Sequence, residues 1–116
     1  MDIYHVWCNL KEGVRDLDFV DSTRRYFDHL KADGRLVGYR ITRCKLGLTH
    51  SNLPEWHLML EFEDLAQLDK AFRLVSGRRE AVESVHHAVN SKVQDVKFAL
   101  YRDFSDAWRG TGEERF

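Results

Sequence analysis

Apolar and polar residues alternate along Glu55–Glu63. Trp56, Leu58, Leu60 and Phe62 are large and apolar, Glu55, His57, Glu61 and Glu63 are polar, and Met59 breaks the pattern. A repeat of two is that of a β-strand, so one face of this segment meets a core and the other meets something wetter. The chain then runs without a gap into Asp64-Leu65-Ala66-Gln67. Asp64 is placed to cap a helix there, and Gln67 to reach back and close the box. The strand must lie beneath or beside that helix.

Asp2 to Leu10 alternates in the same way, with Tyr4, Val6, Cys8 and Leu10 on one side and Ile3, His5, Trp7 and Asn9 on the other. Lys11-Glu12-Gly13 turns the chain, and Asp16 is expected to cap a helix over 16–33. Its apolar stripe is Phe19, Val20, Thr23, Phe27 and Leu30, and Gly34 fits a left-handed terminator. Leu36 to Gly47 reads as a second strand, rich in β-formers but interrupted by Arg40, Arg43 and Lys45, so its faces stay unassigned. The loop Leu48 to Pro54 has turn composition and makes a hairpin with the opening strand.

A helix follows from Asp64 to Val75, striped by Leu65, Leu68, Phe72 and Val75. Gly77 interrupts it, and helix resumes from Arg79 to Val93 with Val82, Val85, Val89 and Val93 inward. Val96 to Phe104 is the last strand, with Val96, Phe98 and Leu100 on one face and Lys97, Ala99 and Tyr101 on the other. Residues 105–116, including Trp108, read as a polar, irregular tail to a single domain over 1–104.

The order strand, helix, strand, strand, helix, strand predicts an α+β fold of ferredoxin-like βαββαβ type. Its four-stranded antiparallel sheet has spatial order 4-1-3-2, with helices on one face. The other face is then left open, carrying Ile3, His5, Trp7, Asn9, His57, Met59, Glu61, Lys97, Ala99 and Tyr101. A tryptophan, an isoleucine and a methionine on an uncovered sheet make an apolar patch of the kind that marks an interface or a ligand site. A second copy of the chain is the expected cover, closing two sheets into a barrel.

Composition narrows the function classes. The 116 residues carry 18 Lys and Arg against 19 Asp and Glu, a net charge of -1. No global field therefore favours nucleic acid, an anionic membrane or an acidic substrate. No apolar run approaches a membrane span, and the start lacks the basic and apolar regions of a secretory signal, so a cytoplasmic location is expected. Cys8 and Cys44 show no metal-ligand spacing. Strands 1 and 2 are separated by strand 3, so the two cysteines lie about 9.5 Å apart by strand spacing, out of disulfide reach. Both are expected as free thiols.

The layout resembles the dimeric α/β-barrel superfamily over residues 2–104. Its start, Met1-Asp2-Ile3-Tyr4-His5-Val6-Trp7-Cys8-Asn9-Leu10, and its end, Phe98-Ala99-Leu100-Tyr101-Arg102-Asp103-Phe104, resemble a small uncharacterised bacterial branch of it. That resemblance implies a homodimer and puts three activities in view: cofactor-free oxygenation, haem degradation and stress-response proteins without assigned chemistry.

His5, His57 and Tyr101 are the candidate catalytic residues. Parity puts His5 near Tyr101 and His57 toward the other end, closer to Asn9 and Lys97. Imidazoles beside a phenol can move protons or hold a carboxylate or enolate. The same groups also serve as hydrogen-bonded polar residues of a dimer interface. Trp7, Asn9, Met59, Glu61 and Lys97 are the candidate ligand-binding residues, with Trp7 and Met59 equally suited to a plain dimer core.

His86 and His87 sit about 100° apart on a helix and cannot both aim at one ion. His86 reads as a buried, satisfied histidine, with axial haem ligation the sharper alternative. Asn9 with either histidine imitates the residues of the haem-degrading branch, but the tryptophan that should precede the histidine is missing. No metal site and no cofactor are therefore expected. Arg35, Arg40, Arg43 and Lys45 read as charge along an edge strand rather than a phosphate site. The open face also lacks the aromatic residues that RNA stacking needs on the third strand.

Three readings follow. The first is a homodimer whose barrel interior binds a small amphipathic molecule (an acid, or a fatty or polycyclic compound), with cofactor-free oxygenase or isomerase chemistry in view. The second is a non-enzymatic dimerisation module without a ligand. The third is haem binding.

Overall fold

The most strongly alternating segment, Trp56–Phe62, is strand β3, with its even positions buried and its odd positions half-buried. It lies inside a four-stranded sheet with β1 (Asp2–Leu10), β2 (Gly38–Arg43) and β4 (Val93–Arg102) in the order β2-β3-β1-β4. Every neighbouring pair is antiparallel. Helix α1 (Asp16–Ala32) joins β1 to β2, and α2 (Leu65–Ser76) with α3 (Glu80–Asn90) joins β3 to β4. This is the ferredoxin-like βαββαβ arrangement, its second crossover split in two at Gly77. The computed structural model describes residues 1–50, 52–78 and 80–105. The expected tail with Trp108 lies beyond Ser105, outside the described residues.

Local chemistry sets the element ends. The Asp64 side chain accepts a hydrogen bond from the Gln67 amide, while Gln67 Oε1 accepts from the Glu63 amide. The box thus closes one residue earlier than the usual cap-to-cap pairing, and it welds β3 to α2. Asp64→Ala is expected to lower stability by about 1 kcal/mol, read as a shift in the urea midpoint with an unchanged m-value. Asp16 does not cap α1. Arg15 holds that position without a side-chain bond, and Asp16 is the first helical residue, accepting from the Leu17 amide. Gly34 terminates the helix at φ 71°, as expected.

The second strand is shorter than Leu36–Gly47 because a tight turn ends it early. Leu46 and Gly47 both have positive φ, and the Leu48 amide donates to the Lys45 carbonyl. Its faces are now assigned: Tyr39 and Ile41 pack on the core, and the Tyr39 hydroxyl donates to Asp28 of α1. Val93 opens β4 instead of closing a helix.

The core lies between the sheet and the helices, where Cys8, Trp56, Leu58, Leu60 and Phe62 meet Phe19, Phe27, Leu30, Ala71 and Val89. Two expectations fail at one margin of it. The helices pack over β2 and β3 and do not reach across β4, so Phe98 and Leu100 are 61% and 51% exposed. On α2 the deepest residue is Ala71, while Leu65 and Phe72 of the expected stripe are exposed.

Cys8, on β1, and Cys44, one residue past the end of β2 rather than within it, are both free thiols, and β3 lies between β1 and β2. At the far end of the sheet, Asp2 is 3% exposed and accepts two hydrogen bonds from the Arg102 guanidinium. The pair ties the first residue of β1 to the last of β4. The arginine side chain is 39% exposed, so water screens part of the attraction, and Asp2→Ala is expected to cost about 2 kcal/mol rather than the full buried-pair penalty. Thermal unfolding should show it as a fall of roughly 6–12 °C.

Candidate functional site

Two groups of chemically useful side chains lie on opposite faces of the sheet. The first occupies the open face, away from the helices. Trp7 pairs across the ladder with His57 and Lys97, and His5 pairs with Met59 and Ala99. His5 and His57 are thus diagonal neighbours, and their long side chains close the gap: His5 Nδ1 lies 2.9 Å from His57 Nε2. The sequence reading separates these two histidines, whereas the structure joins them, because the diagonal between adjacent strands is within reach of aromatic side chains. The Trp7 ring stacks on His57 at 4.5 Å and lies 5.6 Å from His5, and Tyr101 meets His5 edge-on at 4.9 Å.

Other residues expected on this face are spread differently. Lys97 lies across from Trp7, and Glu61 lies beside Ile3 and Gly38. Asn9 is already used by the fold: its Nδ2 donates to Asp95 and its Oδ1 accepts from the Glu55 amide. Arg40 sits on the same face opposite Met59. Arg43 turns to the helix side, where it bonds Glu55 and Asp16 and lies over the Trp56 ring.

Partial burial lowers the pKa of both histidines, and His5 lowers that of His57 further. A base whose pKa is depressed on folding binds fewer protons folded than unfolded. Its neutral form is fully satisfied above the ordinary value of 6.5, and stability is lost as pH falls from there through the folded value. The melting temperature is therefore expected to drop between pH 7 and pH 5. Replacing His5 and His57 together by glutamine should flatten that drop.

The second group lies beneath the helices and frames a cavity of ≈ 350 Å³. Its floor is the inner face of the sheet, where Tyr4, Val6 and Cys8 of β1 stand beside Leu58, Leu60 and Phe62 of β3. Tyr26 and Phe27 of α1, Ala71 and Phe72 of α2, and His86 and Asn90 of α3 form the walls. Val93 and Val96 both reach it although they are three residues apart, because a bulge shifts the register of β4 between Trp7 and Asn9. Asp95 takes positive φ there, so the strand changes phase and presents a valine on each side of the kink.

Tyr4 stands between the rings of Phe72 and Phe98, both exposed, which places the cavity mouth between α2 and β4. The polar groups are few and close together. Tyr26 and His86 rings lie 5.3 Å apart. Burial, and secondarily Tyr4, pushes the Tyr26 hydroxyl up to about 12, burial raises Tyr4, and burial pushes the Cys8 thiol up to about 11. Near neutral pH the phenols are donors and the thiol is inert, so these three wall groups carry no charge.

Such a site can surround an apolar body and offer donors to one oxygen, with an imidazole at hand to exchange a proton. Of the His86-His87 pair, His86 lines the cavity and His87 is exposed. No group of three His, Cys, Asp or Glu side chains suited to a metal ion occurs among the described residues, nor does a helix long and apolar enough to cross a membrane.

The whole chain, residues 1–116, matches the model of a family of unknown function, DUF6614. No curated protein matches the sequence. Solved structures share the fold at low identity. The Arabidopsis thaliana protein At3g17210 aligns with a TM-score of 0.71 at 10% identity, over 92% of this chain and 99% of that one. A variant of SnoaB, a cofactor-independent oxygenase from Streptomyces nogalater, aligns at 0.69 and 8%, over 91% and 95%. A dimeric ferredoxin-like protein of unknown function from Jannaschia sp. aligns at 0.62 and 14%, over 89% and 100%.

Proposed function

We propose, for a chain that belongs to the DUF6614 family of unknown function, a homodimer joined at the open sheet face with a small, mostly apolar molecule bound beneath the helices of each copy. The single observation that carries the binding site is the ≈ 350 Å³ cavity with Tyr4, Tyr26, His86 and Asn90 among its apolar walls. That volume falls in the range of small-molecule sites, roughly 300–1,000 Å³, and the ratio of apolar wall to convergent polar groups is typical of them.

The dimer reading rests on the open face itself, where Ile3, Trp7 and Met59 are only half-buried by the chain's own atoms. Dimeric assembly of a ferredoxin-like relative such as the Jannaschia protein supports it. The chemistry proposed is isomerisation of a phenolic or enolisable molecule, or its cofactor-free oxygenation by dioxygen, in which a CH2 becomes a carbonyl with one oxygen atom and the other leaves as water. The Streptomyces relative is a cofactor-independent oxygenase, and the cavity of this chain supplies what such chemistry asks of a protein. The phenols of Tyr4 and Tyr26 donate to an enolate or carbonyl oxygen, His86 takes or returns the proton, and the apolar walls exclude water.

Anilinonaphthalene sulfonate, an apolar fluorophore with one anionic end, tests the site. Saturable binding near one per chain is expected, weakened about tenfold by His86→Ala with the dimer unchanged; non-saturating enhancement of the kind a loose surface gives would contradict it.

A second reading places the ligand in the barrel interior between two copies, with His5, His57 and Tyr101 as its polar end. The 2.9 Å approach of the two imidazoles under the Tyr101 edge favours it. Tyr101→Phe separates the two, because it leaves the helix-side cavity untouched and weakens binding only if the fluorophore sits between the sheets.

A further inference from the structure

The two histidines of the open face meet in a way that only certain proton counts allow. Their ring centroids are 5.1 Å apart with the planes at 21°, while His5 Nδ1 and His57 Nε2 are 2.9 Å apart. The rings therefore point nitrogen to nitrogen, and an N–H of one donates to the lone pair of the other. Two neutral rings make this bond. With one proton added, an imidazolium donates to an imidazole and the bond persists. A second proton sets two N–H groups and two positive charges against each other, and the bond is lost.

The surroundings add to that cost. The helices lie on the opposite side of the sheet, so the groups facing the pair come from the four strands. Trp7 of β1 lies flat along both rings, and Tyr101 of β4 meets His5 edge-on. Arg40 of β2 stands across from Met59, and Lys97 of β4 across from Trp7, which puts a cation on each side of the pair. The carboxylates here are Glu61 of β3, diagonal to His5 beyond Met59, and Asp95, which accepts from Asn9. Among the described residues neither forms an ion pair with a histidine.

In a separate chain this face is open to water, and the rings can swing apart and take a proton each. Both are already half-buried by the chain's own atoms. A copy laid over them removes the water that would solvate a second charge.

We infer that the open-face dimer is acid-labile, with the His5–His57 pair as its proton sensor and each separated chain holding one proton more than it does in the dimer. This rests on the dimer reading above and adds its control. Protons taken up by separate chains and refused by the dimer pull the equilibrium toward monomer as pH falls. At pH 5.5 a histidine of ordinary pKa, about 6.5, favours its charged form about tenfold. One such group on each of two chains raises the dissociation constant on the order of 100-fold relative to pH 7.5.

The test is sedimentation equilibrium of the full chain at pH 7.5 and pH 5.5, with circular dichroism at both. The wild type should show that rise with its secondary structure unchanged. His57→Gln, whose amide can donate to or accept from His5, should hold the rise below about tenfold, and replacing both histidines by glutamine should abolish it. A wild-type dimer equally tight at both pH values overturns the inference and leaves the dimer standing. An equal rise in wild type and double variant assigns the effect to other groups and overturns it too, as does loss of secondary structure in step with dissociation in both. A wild type that is monomeric at pH 7.5 and high concentration overturns the dimer reading itself.

Discussion

Trp7→Asp is expected to convert the dimer into a folded monomer, raising the dissociation constant by about three orders of magnitude. Trp7 lies in the second row of the open face, its indole stacked on His57 at 4.5 Å and near His5 at 5.6 Å. Tryptophan is the side chain most often found at the centre of an interface, and truncating one there commonly costs 2–4 kcal/mol. Aspartate adds the cost of burying a carboxylate with no partner. A total of about 4 kcal/mol corresponds to roughly a thousandfold in affinity. In the monomer the same change exposes a charge on a face already in contact with water, so the fold should survive. Size-exclusion chromatography with light scattering, beside circular dichroism, reads both outcomes; a dimer that persists would place the interface elsewhere.

Ala71→Phe is expected to remove fluorophore binding beneath the helices by more than a hundredfold and leave the dimer intact. Ala71 is 2% exposed, the most buried residue of α2, and it stands in the cavity wall. A small residue at that point leaves the space beneath the helix unfilled. A phenyl ring would occupy the volume that a ligand needs. Overpacking a full core costs about 1–3 kcal/mol. Here part of that cost is offset because the ring enters empty space, so the melting temperature should change little. Unchanged binding with a stable dimer would move the ligand site out of the cavity.

The elements themselves were legible because their chemistry is local. Alternation at Trp56–Phe62 and Asp2–Leu10, the Asp64/Gln67 box and Gly34 each act through neighbours a few residues away. Errors came where distant residues decide. The limit of β2 depends on the left-handed turn at Leu46-Gly47, and a leucine gives no sign that it will accept that backbone. The valine spacing of Val82, Val85 and Val89 predicts that the helix continues to Val93, whereas Val93 pairs with Leu10 in the sheet ahead of the bulge at Asp95. Val96, Phe98 and Leu100 alternate as a buried face should, yet alternation tells which residues share a side and not how far a helix layer extends over it.

The candidate site was legible in half. The face each strand residue takes follows from parity once the strand order is known, whereas the contact between His5 and His57 depends on the real geometry of a diagonal pair. The cavity gave no warning. Tyr4 belongs to a face whose alternation predicts core, Tyr26 stands beside the Phe27 stripe, and His86 reads as a satisfied interior histidine. A hydrophobic pattern reports that a layer is apolar and is silent on whether its volume is filled, which depends on small residues such as Ala71 meeting across three elements. The one available signal was polar residues, Tyr4, Tyr26 and His86, lying on or beside apolar faces.

Native mass spectrometry of the full chain with anilinonaphthalene sulfonate tests the account at its centre, because it counts chains and bound molecules together. The wild type should appear at twice the 13.7 kDa chain mass with one fluorophore per chain, and Ala71→Phe should appear at the same mass with none. Fluorophore retained on Ala71→Phe, or a wild type present only as a single chain, would contradict it.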